Sequence, residues 1–357
     1  MLFRQHFTVI DIGTDSIKAA KFVQKRKGLF LDGLVHKRLT IDSIKDGRIV
    51  DEAVVANRLD DVLKELGSRN DRIITTVPNN NLVIRNMELP DMEEEQLAEA
   101  IKWESEDYLP FSVESAVEDY RILSREDNKV QILLVASKKD IVDNILGVFE
   151  RIGVTPSAIN IQPMALLSLV TYQSQQENID TVAVVDIGTA GTRVVIGDDE
   201  NIYLSRTIDI GGGEFTKVIM DEHKMSYIEA EELKKSQGIQ EEENENNFDF
   251  AISQIATAGM GENQYLISLA NNMAEQIGRS LDYYSMKYKQ KVENVYITGG
   301  GSKLKRLKEI IENKTDRNLQ IINPFDGIEQ NNGMSLKPEE FSIAIGLGVS
   351  EVLADEG

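Results

Sequence analysis

The chain has 357 residues, 41% of them hydrophobic and 28% charged, a formal net charge of −21 and no cysteine. That length is too great for one core and predicts two domains with subdomains. The absence of cysteine excludes disulfides, zinc–thiolate sites and a thiol nucleophile and suits a reducing compartment, and the acidity excludes sequence-independent nucleic-acid binding, which needs a positive surface.

Further features narrow the class. His6, His36 and His223 are too scattered to form a short-spaced metal pair. No apolar run approaches the ~20 residues of a membrane span. Arg4, Gln5, His6 and Asp11 interrupt the N-terminal segment, which does not read as a signal peptide. The last residues, Glu351 to Gly357, are acidic and do not read as a basic membrane anchor.

In chain order, the pattern predicts strands at Thr8 to Ile12, Ile17 to Gln24 and Leu29 to Leu39. A helix follows from Glu52 to Leu66, with Val54, Val55, Leu59, Val62, Leu63 and Leu66 on a helical stripe and Gly67 at its end. Arg72 to Val77 is a short strand closed by Pro78. The pattern then changes to strand Leu82 to Glu88, an acidic helix Met92 to Tyr108, strands Val117 to Leu123 and Val130 to Ala136, and a helix Lys138 to Ile152. This β-α-β-β-α segment reads as a small α+β unit inserted into the first domain, with Trp103 packed into its core beside Tyr108 and Phe111.

Strand Ala158 to Ile161 and helix Gln162 to Tyr172 complete the first half, and the polar stretch Gln173 to Asp180 separates the halves. Strands Thr181 to Asp186, Thr192 to Gly197 and Asn201 to Ile208 open the second half, with a helix after Gly211 to Gly213. Ser226 to Glu229 is a capping box for a helix ending at Gln237 and Gly238. An acidic loop at Glu241 to Asn247, helices near Phe248 to Ala256 and Asn263 to Lys287, strand Asn294 to Ile297, helix Leu304 to Thr315 and an apolar segment Phe341 to Leu353 finish the chain.

The two halves share a phrase: V-I-D-I-G-T-D-S-I-K from Val9 recurs as V-V-D-I-G-T-A-G-T-R from Val184. Asp11 and Asp186 each stand at a strand's C-terminal end before a Gly-Thr turn, where a carboxylate can hold water around Mg2+. Either aspartate alone is better explained by capping its own turn; two matching copies favour the metal. Gly13-Thr14 and Gly188-Thr189 offer backbone N–H groups to phosphate, with Lys18 and Arg193 as the accompanying cations. Lys18 is equally an exposed strand lysine. Gly299, Gly300, Gly301 and Ser302 lie between a strand and a helix and add a second anion-friendly turn. Neither a P-loop nor a dinucleotide fingerprint is present.

The phrases D-I-G-T-D-S-I-K, D-I-G-T-A-G-T-R, A-E-E-L-K-K-S-Q-G and I-T-G-G-G-S-K-L resemble the actin/Hsp70/sugar-kinase ATPase superfamily. The stretch from Met87 to Phe111, together with R-T-I-D-I-G-G-G-E-F-T, I-N-I-Q-P-M-A-L-L and F-S-I-A-I-G-L-G, looks closely like the PilM family within its FtsA–PilM branch. The resemblance covers nearly the whole chain. It implies an α/β, actin-like duplicated fold: two RNase H-like halves around a nucleotide cleft, with the inserted α+β subdomain. The implied subdomains are 1–78 plus 154–178 (1A), 79–153 (inserted 1C), 179–210 plus 291–357 (2A) and 211–290 (2B).

The same resemblance implies the ligands, ATP and Mg2+. Asp11, Gly13, Thr14 and Lys18 match the first phosphate motif, and Asp186, Gly188, Thr189 and Gly191 the second. Gly212 and Gly213 match a glycine turn, Glu231 and Lys234 the pair flanking adenosine, and Gly299 to Ser302 the adenosine motif. Spacing alone reads Glu231 and Lys234 as an ordinary solvated helix face. Gln162 falls where the superfamily places a group near the attacking water; a glutamine orients water but is a poor base, so at most a weak ATPase is expected. The implied role is a cytoplasmic scaffold of the type IV pilus inner-membrane platform. It binds the cytoplasmic tail of a PilN-like membrane protein and other platform proteins, and meets the membrane only through that partner. Leu82 to Arg85 and the Trp103 helix are candidate tail contacts. The alternatives are an FtsA-like division protein, against which the missing terminal amphipathic helix weighs, and a small-molecule kinase, for which no catalytic base stands out.

Overall fold

The computed structural model describes residues 6–25, 28–78, 82–174, 180–240, 261–331 and 338–356. The expected helix at Phe248 to Ala256 and the acidic loop from Glu241 lie outside the described residues. The elements of the first half are β1 (His6–Ile12), β2 (Ser16–Lys25), β3 (Gly28–Arg38), a short pair β4 (Ile44–Lys45) and β5 (Arg48–Ile49), α1 (Glu52–Leu66), β6 (Arg72–Val77), β7 (Leu82–Pro90), α2 (Glu94–Ser105), β8 (Ala116–Glu126), β9 (Lys129–Lys138), α3 (Lys139–Arg151), β10 (Ala158–Ile161) and α4 (Gln162–Ser174). Those of the second half are β11 (Val182–Ile187), β12 (Thr192–Gly197), β13 (Ile202–Ile208), α5 (Gly212–His223), α6 (Tyr227–Gln237), α7 (Glu262–Tyr288), β14 (Asn294–Thr298), α8 (Leu307–Thr315), β15 (Leu319–Ile321), β16 (Glu329–Gln330) and α9 (Ser342–Glu356).

The chain divides into two compact units: Met1–Val182, Val195–Arg206 and Ile322–Gly357 in one, Ala183–Val194 and Thr207–Ile321 in the other. In the first unit a six-stranded sheet runs β10-β6-β1-β2-β3-β16. β1–β2 and β2–β3 are antiparallel, whereas β1–β6 and β6–β10 are parallel. One face is covered by α1 and α3, whose Val55, Leu59, Val62, Ile145, Val148 and Phe149 pack with Ile10, Ile17, Ala19 and Val35 of the strands. α1 begins where Asp51 accepts from the Val54 N–H and ends where Gly67 turns left-handed at φ 60°. On the other face α9 packs along α4 and β1–β3. Phe7 and Phe22 stack at 5.3 Å, and any side chain at Gly348 of α9 would collide with the Phe22 ring.

The insert is a three-stranded antiparallel sheet, β7-β9-β8. α2 buries Leu97 and Ile101 on it against Met87, Leu89, Val130, Ile132 and Leu134. α3 closes the insert in sequence but buries Ile141, Val142, Ile145, Val148 and Phe149 in the core of the main sheet, so its apolar face ties the insert to the larger core. Two expectations are corrected here. α2 spans Glu94–Ser105, shorter than Met92 to Tyr108, because the segment after it tightens into i→i+3 turns at Glu106 and Asp107. Trp103 is 75% exposed and not in the core.

A five-stranded sheet in the order β13-β12-β11-β14-β15 carries the second copy of the repeated phrase. Among the helices of the second unit, α6 and α7 pack on α5, and α8 packs on α7. Ser226 caps α6 as expected, its N–H donating to Glu229 at 2.8 Å. The helix expected from Leu304 starts at Leu307, because Gly300 to Lys303 form a separate 3-10 turn. Among the described residues no helix is long and apolar enough to cross a membrane.

Candidate nucleotide-binding turns

In the first unit, β1, β6 and β10 run parallel, with Ile10 opposite Thr75 and Ile161 opposite Val77. Their C-terminal ends therefore share one rim of the sheet, the end where open α/β sheets bind ligands. Asp11 is the next-to-last residue of β1, Gly13 and Thr14 follow its end, and Gln162 follows the end of β10. Asp11 is 3% exposed and its Oδ2 lies 3.8 Å from Lys18 Nζ, directly across the hairpin. The Gly13 N–H donates to Ser16 O at 3.0 Å and closes the turn. Lys18 is thus half-buried and paired rather than a free surface lysine. His36 on β3, which the sequence reading did not single out, is the cross-strand neighbour of Lys18. Burial and the Lys18 charge both push its imidazole pKa down, against the opposing pull of Glu340.

Gln162 is 3% exposed, and its Oε1 is buried without a hydrogen-bond partner among the described residues. Such an orphaned acceptor costs folding free energy unless a ligand or water meets it.

The second unit repeats the same local geometry. Arg193 Nη1 donates to Asp186 Oδ2 at 2.5 Å, and the Gly188 N–H donates to Gly191 O at 2.9 Å. A Cβ on Gly13 would sit 3.3 Å from Ser16 O and 3.5 Å from Lys18 Nζ; one on Gly188 would sit 3.2 Å from Gly191 O and 3.5 Å from Arg193 Nη1. The duplication of sequence is therefore a duplication of turn, carboxylate and cation.

Around the second turn three further segments converge. The N–H groups of Gly212 and Gly213 donate to the carbonyls of Gly188 and Thr189, each at 2.8 Å. These amides are spent on the turn and hold the start of α5 against it. A Cβ on Gly211 would lie 2.5 Å from Gly191 N, so only glycine permits this approach. Gly299 sits at φ 84°, ψ 162°, a region essentially reserved for glycine, and a side chain there would strike Asp186 Oδ1. Ser302 Oγ turns back to donate to Gly299 O at 2.7 Å. A Cβ on Gly212 would find Lys234 Nζ at 3.5 Å, Gly188 O at 3.7 Å and the Gly301 Cα at 3.9 Å. Three glycine-rich backbone stretches thus meet at one place, with the Lys234 side chain beside them.

Glu231 and Lys234 are not a solvated helix face. Lys234 is 9% exposed and donates to Gly212 O and Thr216 Oγ1, each at 2.8 Å, while contacting Glu231 Oε2 at 2.6 Å. Glu231 also accepts from Thr216 Oγ1 at 2.7 Å and pairs with Lys235 at 2.9 Å. Burial raises the Glu231 pKa, but the Lys234 charge and these hydrogen bonds outweigh it and bring it down to about 2. The pair clamps α6 to the first turn of α5.

Mg2+ and a nucleotide fit this donor set. Among the described residues no cluster of three or more His, Cys, Asp or Glu side chains could cage a metal. A metal held by one or two carboxylates, waters and phosphates is the arrangement Mg2+ favours, and the paired Asp–cation turns supply such carboxylates.

Comparison with known proteins follows the same line. The model of the type IV pilus assembly protein PilM family matches residues 9–351. The cell division protein FtsA of Bacillus subtilis (strain 168) is 32% identical over 110 residues, 31% of this chain and 24% of that protein. FtsA of Streptococcus pneumoniae serotype 2 is 24% identical over 259 residues, 65% of this chain and 56% of that protein. The chain thus spans about a quarter and somewhat over half of those relatives' lengths. A solved PilM-PilN type IV pilus biogenesis complex superposes with TM-score 0.81 at 22% identity, covering 97% of this chain and 98% of that one. MreB 5 of Spiroplasma citri bound to AMPPNP gives TM-score 0.55 at 14% identity, covering 99% and 97%. The fold is therefore actin-like, and the chain belongs to the family of the type IV pilus assembly protein PilM.

Proposed function

We propose that this chain is an ATP-binding, actin-like scaffold of a type IV pilus, or related secretion, inner-membrane platform, and that it takes the N-terminal cytoplasmic tail of a PilN-like membrane protein. The observation that carries the nucleotide reading is the repeated Asp–cation–glycine turn, Asp11/Lys18/Gly13 and Asp186/Arg193/Gly188. Each turn offers Mg-ATP a carboxylate, a cation and bare backbone. Asp11 and Asp186 would hold Mg2+ through its waters. Lys18 and Arg193 would turn from their carboxylates to phosphate oxygens, with Thr14, Thr189 and Gly191 beside them. Gly212, Gly213, Gly299, Gly300, Gly301 and Ser302 would admit the nucleoside against bare backbone, with Glu231 and Lys234 alongside. Bound Mg2+ would neutralise phosphate charge; Gln162, whose Oε1 is buried and unmatched, would orient a water. A glutamine is a weak base, so slow turnover is expected. The MreB 5 relative solved with AMPPNP supports nucleotide binding.

The partner reading rests on family membership and on the likeness to the PilM-PilN complex. A cytoplasmic location at the membrane through that partner, the tail contact near Leu82 to Arg85, and the four subdomain limits given above belong to the same proposal. The test is capture of the chain by an immobilised PilN-like tail peptide, with and without Mg-ATP. Capture that changes with nucleotide is the expected result. Absence of both Mg-ATP binding and capture would overturn the reading.

A further inference from the structure

Helix α2 is fully packed on one side and unusually furnished on the other. Leu97, Ile101 and Ser105, at i, i+4 and i+8, are buried, and Ser105 Oγ donates to Glu118 of β8 at 3.1 Å. Trp103 comes two residues after Ile101, about 200° round the helix, and is 75% exposed. It is the only tryptophan in the chain. Tyr108 and Val117, 41% and 43% exposed, are further exposed apolar side chains in the same insert. Glu99 lies one helical turn before Trp103, and Glu106 and Asp107 follow in the tight i→i+3 turns that end the helix; all three are exposed.

These carboxylates lack compensation. Among the described residues no basic side chain lies within ion-pair distance of Glu99, Glu106 or Asp107, and Lys102 is the one cation of α2. Two other acidic groups of the insert are paired, Glu88 with Lys129 and Asp91 with Arg125. An exposed indole face is the strongest side-chain platform for a cation, and unpaired carboxylates around it draw positive charge while repelling nucleic acid and anionic lipid. A second copy offering the same face would bring like charges together.

We propose that this face of α2 is a docking site for a basic segment of a partner protein. An Arg or Lys side chain lies on the Trp103 indole, and neighbouring cations pair with Glu99, Glu106 and Asp107. The site is separate from the nucleotide turns and from Leu82 to Arg85; it assigns the Trp103 helix, the other candidate tail contact, to a basic segment in place of the tail.

Because Trp103 is the sole tryptophan, intrinsic fluorescence of the full chain reads this face directly. The probe is a synthetic Arg-Gly-Arg-Gly-Arg peptide, with Glu-Gly-Glu-Gly-Glu as the control. The expected result is a saturable change in Trp103 emission with the arginine peptide only. Its midpoint should move at least tenfold higher in the Glu99→Lys/Asp107→Lys double variant, which keeps the reporter. Trp103→Ala should weaken a dye-labelled arginine peptide at least fivefold with the melting temperature unchanged. Unaltered emission, an equal midpoint in the double variant, or an equal response to the acidic peptide would overturn the proposal. So would an emission change that tracks protein concentration alone, which assigns the face to a second copy, or one produced by anionic vesicles. PilN-like tail capture should be the same in the double variant and the parent chain; its loss would assign the face to the tail instead.

Discussion

The two D-I-G-T turns are alike in their immediate geometry and unlike in what surrounds them. Each has a buried aspartate at a strand end, a cation seven residues on, and a glycine amide closing the turn. The second is overlaid by the start of α5, by the Gly299–Ser302 turn and by the buried Glu231–Lys234 clamp. The first has Gln162, with its buried unmatched carbonyl oxygen, on the same sheet rim. The duplicated phrase supplies two equivalent Asp–cation turns; one has a glycine-lined surround and the other a buried glutamine on its rim.

The largest expected effect breaks that difference in rigidity. Lys234→Met leaves Glu231 facing Thr216 without its buried partner and should cost about 3 kcal/mol of unfolding free energy. Lys18→Met removes a single longer contact, 3.8 Å, and should cost about 1 kcal/mol. Urea denaturation of both variants compares the two surrounds, and equal losses would contradict the idea of a clamp peculiar to the second copy.

Acid sharpens the same point. The Glu231 pKa is brought from an ordinary 4.5 to about 2 in the folded chain, so the unfolded chain takes up this proton first. Its contribution is whole above pH 4.5 and is lost as pH falls toward about 2. Thermal melts near pH 5 and about pH 3 should show an acid-dependent fall that Glu231→Gln largely lacks. An identical fall in that variant would place the acid sensitivity elsewhere. The smallest effect belongs to the first copy. Gln162→Met removes an orphaned acceptor and should leave stability unchanged or raise it by up to about 1 kcal/mol, while lowering any ATP turnover several-fold. Full turnover in that variant would remove Gln162 from the chemistry.

Much of this was legible in residue order, and the exceptions have physical causes. Helix α1 and strand β6 follow from an amphipathic stripe with a glycine stop and from a short apolar run before Pro78. The matching D-I-G-T phrases foretold the matching turns because the turn is local. The clamp was not legible as one: Glu231 and Lys234 share a helix at i, i+3, but their burial comes from Gly212 and Thr216 on α5. Trp103 was misplaced because an aromatic residue in a helix favours the core by composition alone, whereas the core stripe was already complete in Leu97, Ile101 and Ser105. Strands β15 and β16, three and two residues long, are too short for alternation to announce them.

The most direct measurement of the central claim is calorimetric titration of Mg-ATP into the full chain and into Asp11→Asn and Asp186→Asn. One Mg-ATP per chain, with affinity at least tenfold weaker in each variant (about 1.4 kcal/mol) and the fold retained, is the predicted result. An affinity that either substitution leaves unchanged would contradict the assignment of both aspartates to Mg-ATP binding.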